Sequence, residues 1–278
     1  MIYKNFIISC FLFTISCAPK AFLLDRPELV SIYFERQIKK LEKNDTPSLD
    51  EQRNLIKTKV EYGFGIIMEQ ADRLIDIDYS LALDKYKKAN NIFKEARDSG
   101  LSILNKRYST FSDWLRNDRG LQFTNDDISD LYWLAAAYGG AISSSRGDPF
   151  ELIHLPYVGR LLKKCIELDP SWNNGAVFSA MMSFTSTRTD ISEGLLRDSV
   201  DFYFNNAILY SDSSDAGPFL TYAESIHKTY QERKEFEDKL NYVINMKTKP
   251  RSEYELPNLI AKNRAEWLLS KTDDYFLE

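Results

Sequence analysis

A stripe of the form small or aliphatic, three residues, large, two residues, small recurs along the chain. It appears at Ala82/Tyr86/Ala89, Val158/Leu162/Cys165, Val200/Phe204/Ala207 and, in weaker form, Phe236/Leu240/Val243. Positions i, i+4 and i+7 share one face of a helix, so each stripe marks a helix that packs against a neighbour. The copies are offset by 76, 42 and 36 residues. The last two offsets lie near the 34-residue tetratricopeptide period with short insertions, and the first is about two periods. Pro170 and Asp212 stand five positions beyond the second and third stripes, where such a unit would turn. Helix pairs of this kind bury their apolar faces only by stacking on one another. An amphipathic bundle shares these intervals, so the stripes establish stacked helices and leave the repeat type open.

The rest of the chain agrees with a helical reading. Only 11 Gly and 9 Pro are spread over 278 residues, and no convincing alternating run suggests a strand. Ser48 with Glu51 and Thr124 with Asp127 have capping-box spacing and predict two helix starts. The first opens a long helical segment through Asp76. A helix is expected from about Tyr79 to Ser99 with Gly100 as its stop, and another from Leu101 to about Arg116. Leu131 to Ser145 holds no charge, which predicts a helix buried on nearly all sides, its Ala and Gly residues letting neighbours approach closely. The fold class is therefore all-α, with a tetratricopeptide-like helical-repeat domain over residues 28–278. At about 260 residues this body can stabilise itself by core packing, and no disulfide is expected.

The N-terminus reads as a targeting segment. Lys4 is its only charge, and Phe6 to Ile15 is an apolar run too short for a stable membrane span. Thr14-Ile15-Ser16-Cys17 resembles a bacterial lipobox, although Thr14 stands where Leu is usual. Residues 1–16 are thus expected to be a lipoprotein signal peptide, Cys17 the lipidated residue, and 17–27 a spacer. An ordinary cleaved signal is the alternative. The expected location is the bacterial cell envelope, lipid-anchored and facing the periplasm.

Composition excludes several activities. Lys plus Arg is 36 against 41 Asp plus Glu, a net charge of -5 with no basic run, which disfavours nucleic acid as a partner. Two histidines, His154 and His227, are too few and too far apart for a zinc-protease helix or a histidine-rich metal centre. There is no Walker loop, no nucleophile elbow and no dinucleotide fingerprint. No catalytic residue, metal or cofactor is called for.

Four stretches carry a family resemblance: LYWLAAAYGGAISSS, LPYVGRLLKKCIELDP, PFLTYAES and LPNLIAKNRAEWLL. Taken in order after a lipobox, they resemble the T component of tripartite ATP-independent periplasmic (TRAP) transporters. Gly139-Gly140, where that family usually has an aromatic residue before Gly, and Ile260 are departures. The resemblance implies a non-enzymatic lipoprotein of cryptic tetratricopeptide-like pairs that works beside the periplasmic TRAP substrate-binding protein. It further implies assembly as a homo-trimer and a groove that takes a small hydrophobic ligand. A generic envelope scaffold is the competing reading, and a neighbouring gene for a TRAP permease would separate the two. Candidate ligand- or partner-binding residues are Tyr132, Trp133, Arg146, Asn258, Asn263 and Arg264. Each has a duller role open to it: the aromatics as core, and Asn263 and Arg264 as partners for helix-end carbonyls.

Overall fold

Helix pairing explains most of the architecture. The computed structural model describes residues 27–277, so the expected signal peptide, the lipid site at Cys17 and nearly all of the spacer lie outside the described residues. Among the described residues there are helices and turns and no strand, as an all-α chain requires. Helix α1 spans Pro27–Glu42 and α2 spans Leu49–Tyr62, which runs through a π turn at Gly63–Met68 into α3, Glu69–Leu74. Then follow α4 (Tyr79–Arg107), α5 (Phe111–Asn117), α6 (Ile128–Ser144), α7 (Pro149–Leu152), α8 (Leu155–Leu168), α9 (Ala176–Ser186) and α10 (Glu193–Tyr210). The chain ends with α11 (Gly217–Tyr222) and a second π turn at Ala223–His227, then α12 (Arg233–Asn245), α13 (Glu255–Ser270) and α14 (Thr272–Tyr275).

Five elements touch in sequence to make an inner layer: α2 meets α6, α6 meets α9, α9 meets α11, and α11 meets α13. An outer helix fits between each successive couple, namely α4, α8, α10 and α12. These four carry the sequence stripes, and every stripe residue is buried, from Ala82, Ala89 and Cys165 to Phe236, Leu240 and Val243. Both capping boxes are formed. Ser48 and Glu51 bond reciprocally at the start of α2, and Thr124 and Asp127 do so ahead of α6.

One expected boundary is wrong. Gly100 does not stop a helix, because α4 runs unbroken for 29 residues through it and only the short α5 follows. A Cβ at Gly100 would stand 3.3 Å from Leu134 Cδ1, so the glycine serves the close approach of α4 to α6. The π turns were also not legible as such: the first holds Gly63 and Gly65 and the second is mixed helical sequence, and neither pattern marks an extra residue per turn.

Cys165 on α8 is fully buried, its Sγ 3.7 Å from the Ile128 carbonyl, and burial pushes its thiol up to about 12. Only the thiolate reacts readily, so at pH 8 alkylation of Cys165 should be at least about 10³-fold slower in the folded protein than after unfolding in urea. Equal rates in a stopped-flow thiol assay would show that α8 is not packed in this way.

Candidate functional site

The first and last inner helices meet side by side. A Cβ at Gly65 would come 3.8 Å from Ile260 Cδ1, Arg264 reaches Glu69, Arg73 reaches Asn263 and Trp267, and Lys271 reaches Asp76. These partners are close to 195 positions apart throughout, so α13 runs parallel to the α2–α3 segment in a constant register. The first and last elements of the inner layer are therefore joined through side chains.

Arg264 is the centre of this closure. Its Nε and Nη2 donate to the two Glu224 carboxylate oxygens at 2.9 and 2.7 Å, and Nη1 lies 2.9 Å from Asp72 Oδ2 and bonds Glu69. Burial alone would favour loss of its proton, yet the charges of Glu224, Glu69 and Asp72 prevail and raise its pKa further. Glu69 also accepts from Arg73 Nε at 2.8 Å, and Arg73 Nη2 donates to Asn263 Oδ1 at 2.7 Å. On the other flank Tyr86 donates to Asp72 at 2.5 Å, with the Arg146 guanidinium 4.8 Å above the Tyr86 ring. Trp267 receives the Arg73 and Arg264 guanidinium groups at 5.4 and 5.6 Å. Of the two carboxylates that most tightly bracket Arg264, Glu69 directly follows one π turn and Glu224 lies inside the other. Such turns widen a helix locally and recur at functional positions.

Three of the sequence candidates thus converge: Arg146, Asn263 and Arg264. Tyr132 and Trp133 sit elsewhere along the inner layer, on α6. Tyr132 is half-buried, with the Trp172 ring at 4.9 Å, and its hydroxyl makes no hydrogen bond among the described residues. Burial raises its pKa, and the negative charges of Asp215 and Glu61 add to that. Glu61, on α2, keeps 44% of its side chain open to solvent, yet burial pushes its carboxyl up, with Lys57 Nζ 3.8 Å away pulling against it. Asp215, in the α10–α11 turn, is also raised by burial, against the Gly217 N–H that it accepts at 2.8 Å, and its charge acts on Tyr254 as well. Asp215 thus acts electrostatically on both Tyr132 and Tyr254, and Glu61 on Tyr132, across four separate parts of the chain. Trp133 has Lys57 Nζ 5.7 Å from its ring and borders, with Arg53, Ile56, Gly100 and Asp130, a recess of about 10 Å³, room for one water.

Asn258 stands apart from both clusters as a buried clamp. Its Oδ1 accepts from Ala216 N at 2.9 Å and its Nδ2 donates to Ser214 O at 2.7 Å, which fixes the turn that presents Asp215. Sequence reasoning named Asn258 and missed Asp215, as it missed Glu61, Glu69, Asp72 and Glu224, because no local pattern sets these acids apart from the other carboxylates.

Among the described residues no group of His, Cys, Asp and Glu is placed to hold a metal. The two histidines belong to neither cluster: His154 is 3.9 Å from Glu151, and His227 bonds Glu232 at 2.7 Å. A wider cleft of about 400 Å³ beside Asp113, Asn117 and Arg119 lies at the end of α5 among solvated side chains.

These features define a layered helical protein whose first and last inner helices are joined by an ion cluster around Arg264. The family model for the TRAP transporter T-component matches residues 52–276, and the chain belongs to that family. A protein of Treponema pallidum (strain Nichols), described as uncharacterized, is 21% identical over 228 residues, which cover 79% of this chain and 70% of that protein. Family membership supports a role in a TRAP transport system. No helix among the described residues is long and apolar enough to cross a membrane.

Proposed function

We propose that the chain is a lipid-anchored, periplasm-facing T-component that docks the substrate-binding protein of a TRAP system and receives a small, partly hydrophobic ligand in its interior. The helix pairs are read as tetratricopeptide-like units, with the inner helices lining the binding face and a trimer as the working assembly. The observation that carries the reading is the family match over residues 52–276, beside the aromatic and carboxyl groups of the inner helices, where Asp215 acts on both Tyr132 and Tyr254. Aromatic walls with a few fixed polar groups suit an elongated organic molecule, since burial of its apolar part supplies affinity and the polar groups set its orientation. Extended helical-repeat surfaces suit a protein partner, and a lipid tether at Cys17 raises the local concentration of that partner at the membrane.

Affinity purification of the full chain from its native envelope, with and without crosslinking, tests this directly. A periplasmic TRAP-type substrate-binding protein should be the main specific partner by mass spectrometry. Recovery of envelope-assembly factors alone, with no binding protein even after crosslinking, would replace this reading with the scaffold one.

A further inference from the structure

Helix α1 lies outside the helix pairs and segregates its charges. Val30, Phe34 and Ile38 pack inward, with the Phe34 ring stacked on Tyr62 at 5.3 Å. Its two described acids are neutralised by neighbouring helices: Glu35 pairs with Lys88 at 2.7 Å and Glu42 with the buried Lys59 at 2.7 Å. The cations point the other way. Arg36, Lys39, Lys40 and, just past the helix end, Lys43 are all exposed, and Arg36, Lys40 and Lys43 join no ion pair among the described residues. On the same face the first turns present Leu29, Ile32 and Tyr33, which are 39%, 42% and 58% exposed. Positions 29, 32/33, 36, 39/40 and 43 form one helical stripe, apolar at its start and cationic at its end. Acids resume only at Asp45. In a chain of net charge -5, a stripe of four exposed cations, with Glu35 and Glu42 already paired to Lys88 and Lys59, is a local reversal of sign.

We propose that this outward face of α1 lies on the anionic surface of the membrane that holds the protein. Leu29, Ile32 and Tyr33 enter the headgroup region, and Arg36, Lys39, Lys40 and Lys43 pair with lipid phosphates. Apolar and basic side chains on one exposed stripe are the mark of a helix that lies in a membrane interface. Each cation near such a surface is worth about fivefold in affinity. The proposal rests on the Cys17 anchor for proximity: the ten residues from Cys17 to Pro27 reach at most about 36 Å, however they are arranged. Its chemistry is independent of the anchor. Docking α1 fixes which side of the body faces the bilayer.

The test uses the full chain carrying the photoreactive Tyr33→p-benzoylphenylalanine, reconstituted into vesicles of phosphatidylglycerol with phosphatidylcholine. Irradiation should yield lipid adducts at position 33 and none from the same probe at Phe202, which is 57% exposed on α10. Adducts should fall at least about tenfold in pure phosphatidylcholine, in about 1 M salt, or in the variant Arg36→Gln/Lys39→Gln/Lys40→Gln/Lys43→Gln. The lipid and salt comparisons need no charge variant, so a folding defect in the variant leaves the result intact. No lipid adduct, adducts equal in neutral lipid, or adducts to a second copy or another protein would each overturn the proposal. Vesicle flotation in high salt reads the anchor separately. A chain that floats only at low salt yet gives the adducts has lost the anchor reading and kept the docking one.

Discussion

Phe93→Ala should lower stability by about 3–5 kcal/mol, a fall in Tm of roughly 6–20 °C for a body of this size. Phe93 lies on α4, is fully buried, and its ring sits between two glycines of different helices: a Cβ at Gly63, in the first π turn, or at Gly140, on α6, would run into it. The Phe64 ring closes the site at 4.6 Å. Two backbones that meet an aromatic ring this closely cannot slide inward without distorting their helices, so truncation leaves most of the ring volume as a cavity. The reverse change acts by the opposite mechanism. Gly140→Ala overpacks the same site and should cost about 1–3 kcal/mol, and Phe93→Leu in that background should recover part of the loss by making room for the methyl. Urea denaturation of the wild type, Phe93→Ala, Phe93→Leu, Gly140→Ala and the Phe93→Leu/Gly140→Ala double gives the comparison. A Phe93→Ala loss below about 1 kcal/mol, or strict additivity of Phe93→Leu with Gly140→Ala, would mean that the ring does not fill this slot.

That slot shows how far the sequence could be read. The stripes on α4, α8, α10 and α12 were visible because each is local and buries small or large residues at fixed intervals. The uncharged run from Leu131 was visible for the same reason, since a helix without charge has to be covered. Gly140 was assigned to close helix approach, but nothing local said that Phe93, 47 positions earlier, was what approached. Gly100 was misread because a helix stop and a helix contact use the same residue, and only the neighbour, Leu134, separates them. The site was less legible still. Tyr132, Trp133, Arg146, Asn263 and Arg264 stood out by type and position, but the acids around Arg264 and the Arg73 that bonds Asn263 are ordinary residues whose role appears only when chain segments nearly 200 residues apart lie side by side.

Arg264→Met should cost about 3 kcal/mol at neutral pH and open the junction between α13 and the α2–α3 segment. Removing one member of a buried ionic cluster leaves its partners uncompensated, which typically costs 3–5 kcal/mol. The lower end applies because Glu69, Asp72 and Glu224 keep between 16% and 26% of their side chains exposed, so water partly screens them. With the guanidinium gone, Arg73 still answers Glu69, while Glu224 loses both of its hydrogen bonds and Asp72 keeps only the Tyr86 hydroxyl. Arg264→Lys should recover part of the loss, since one ammonium restores charge without the two-point grip on Glu224. Hydrogen exchange across 255–270 at neutral pH should rise in Arg264→Met and stay low around Phe93, because α13 detaches while the first helix pairs keep their own core. A variant with unchanged stability and exchange, but with reduced ligand or partner binding, would reverse the assignment and make Arg264 a contact residue in place of a clasp.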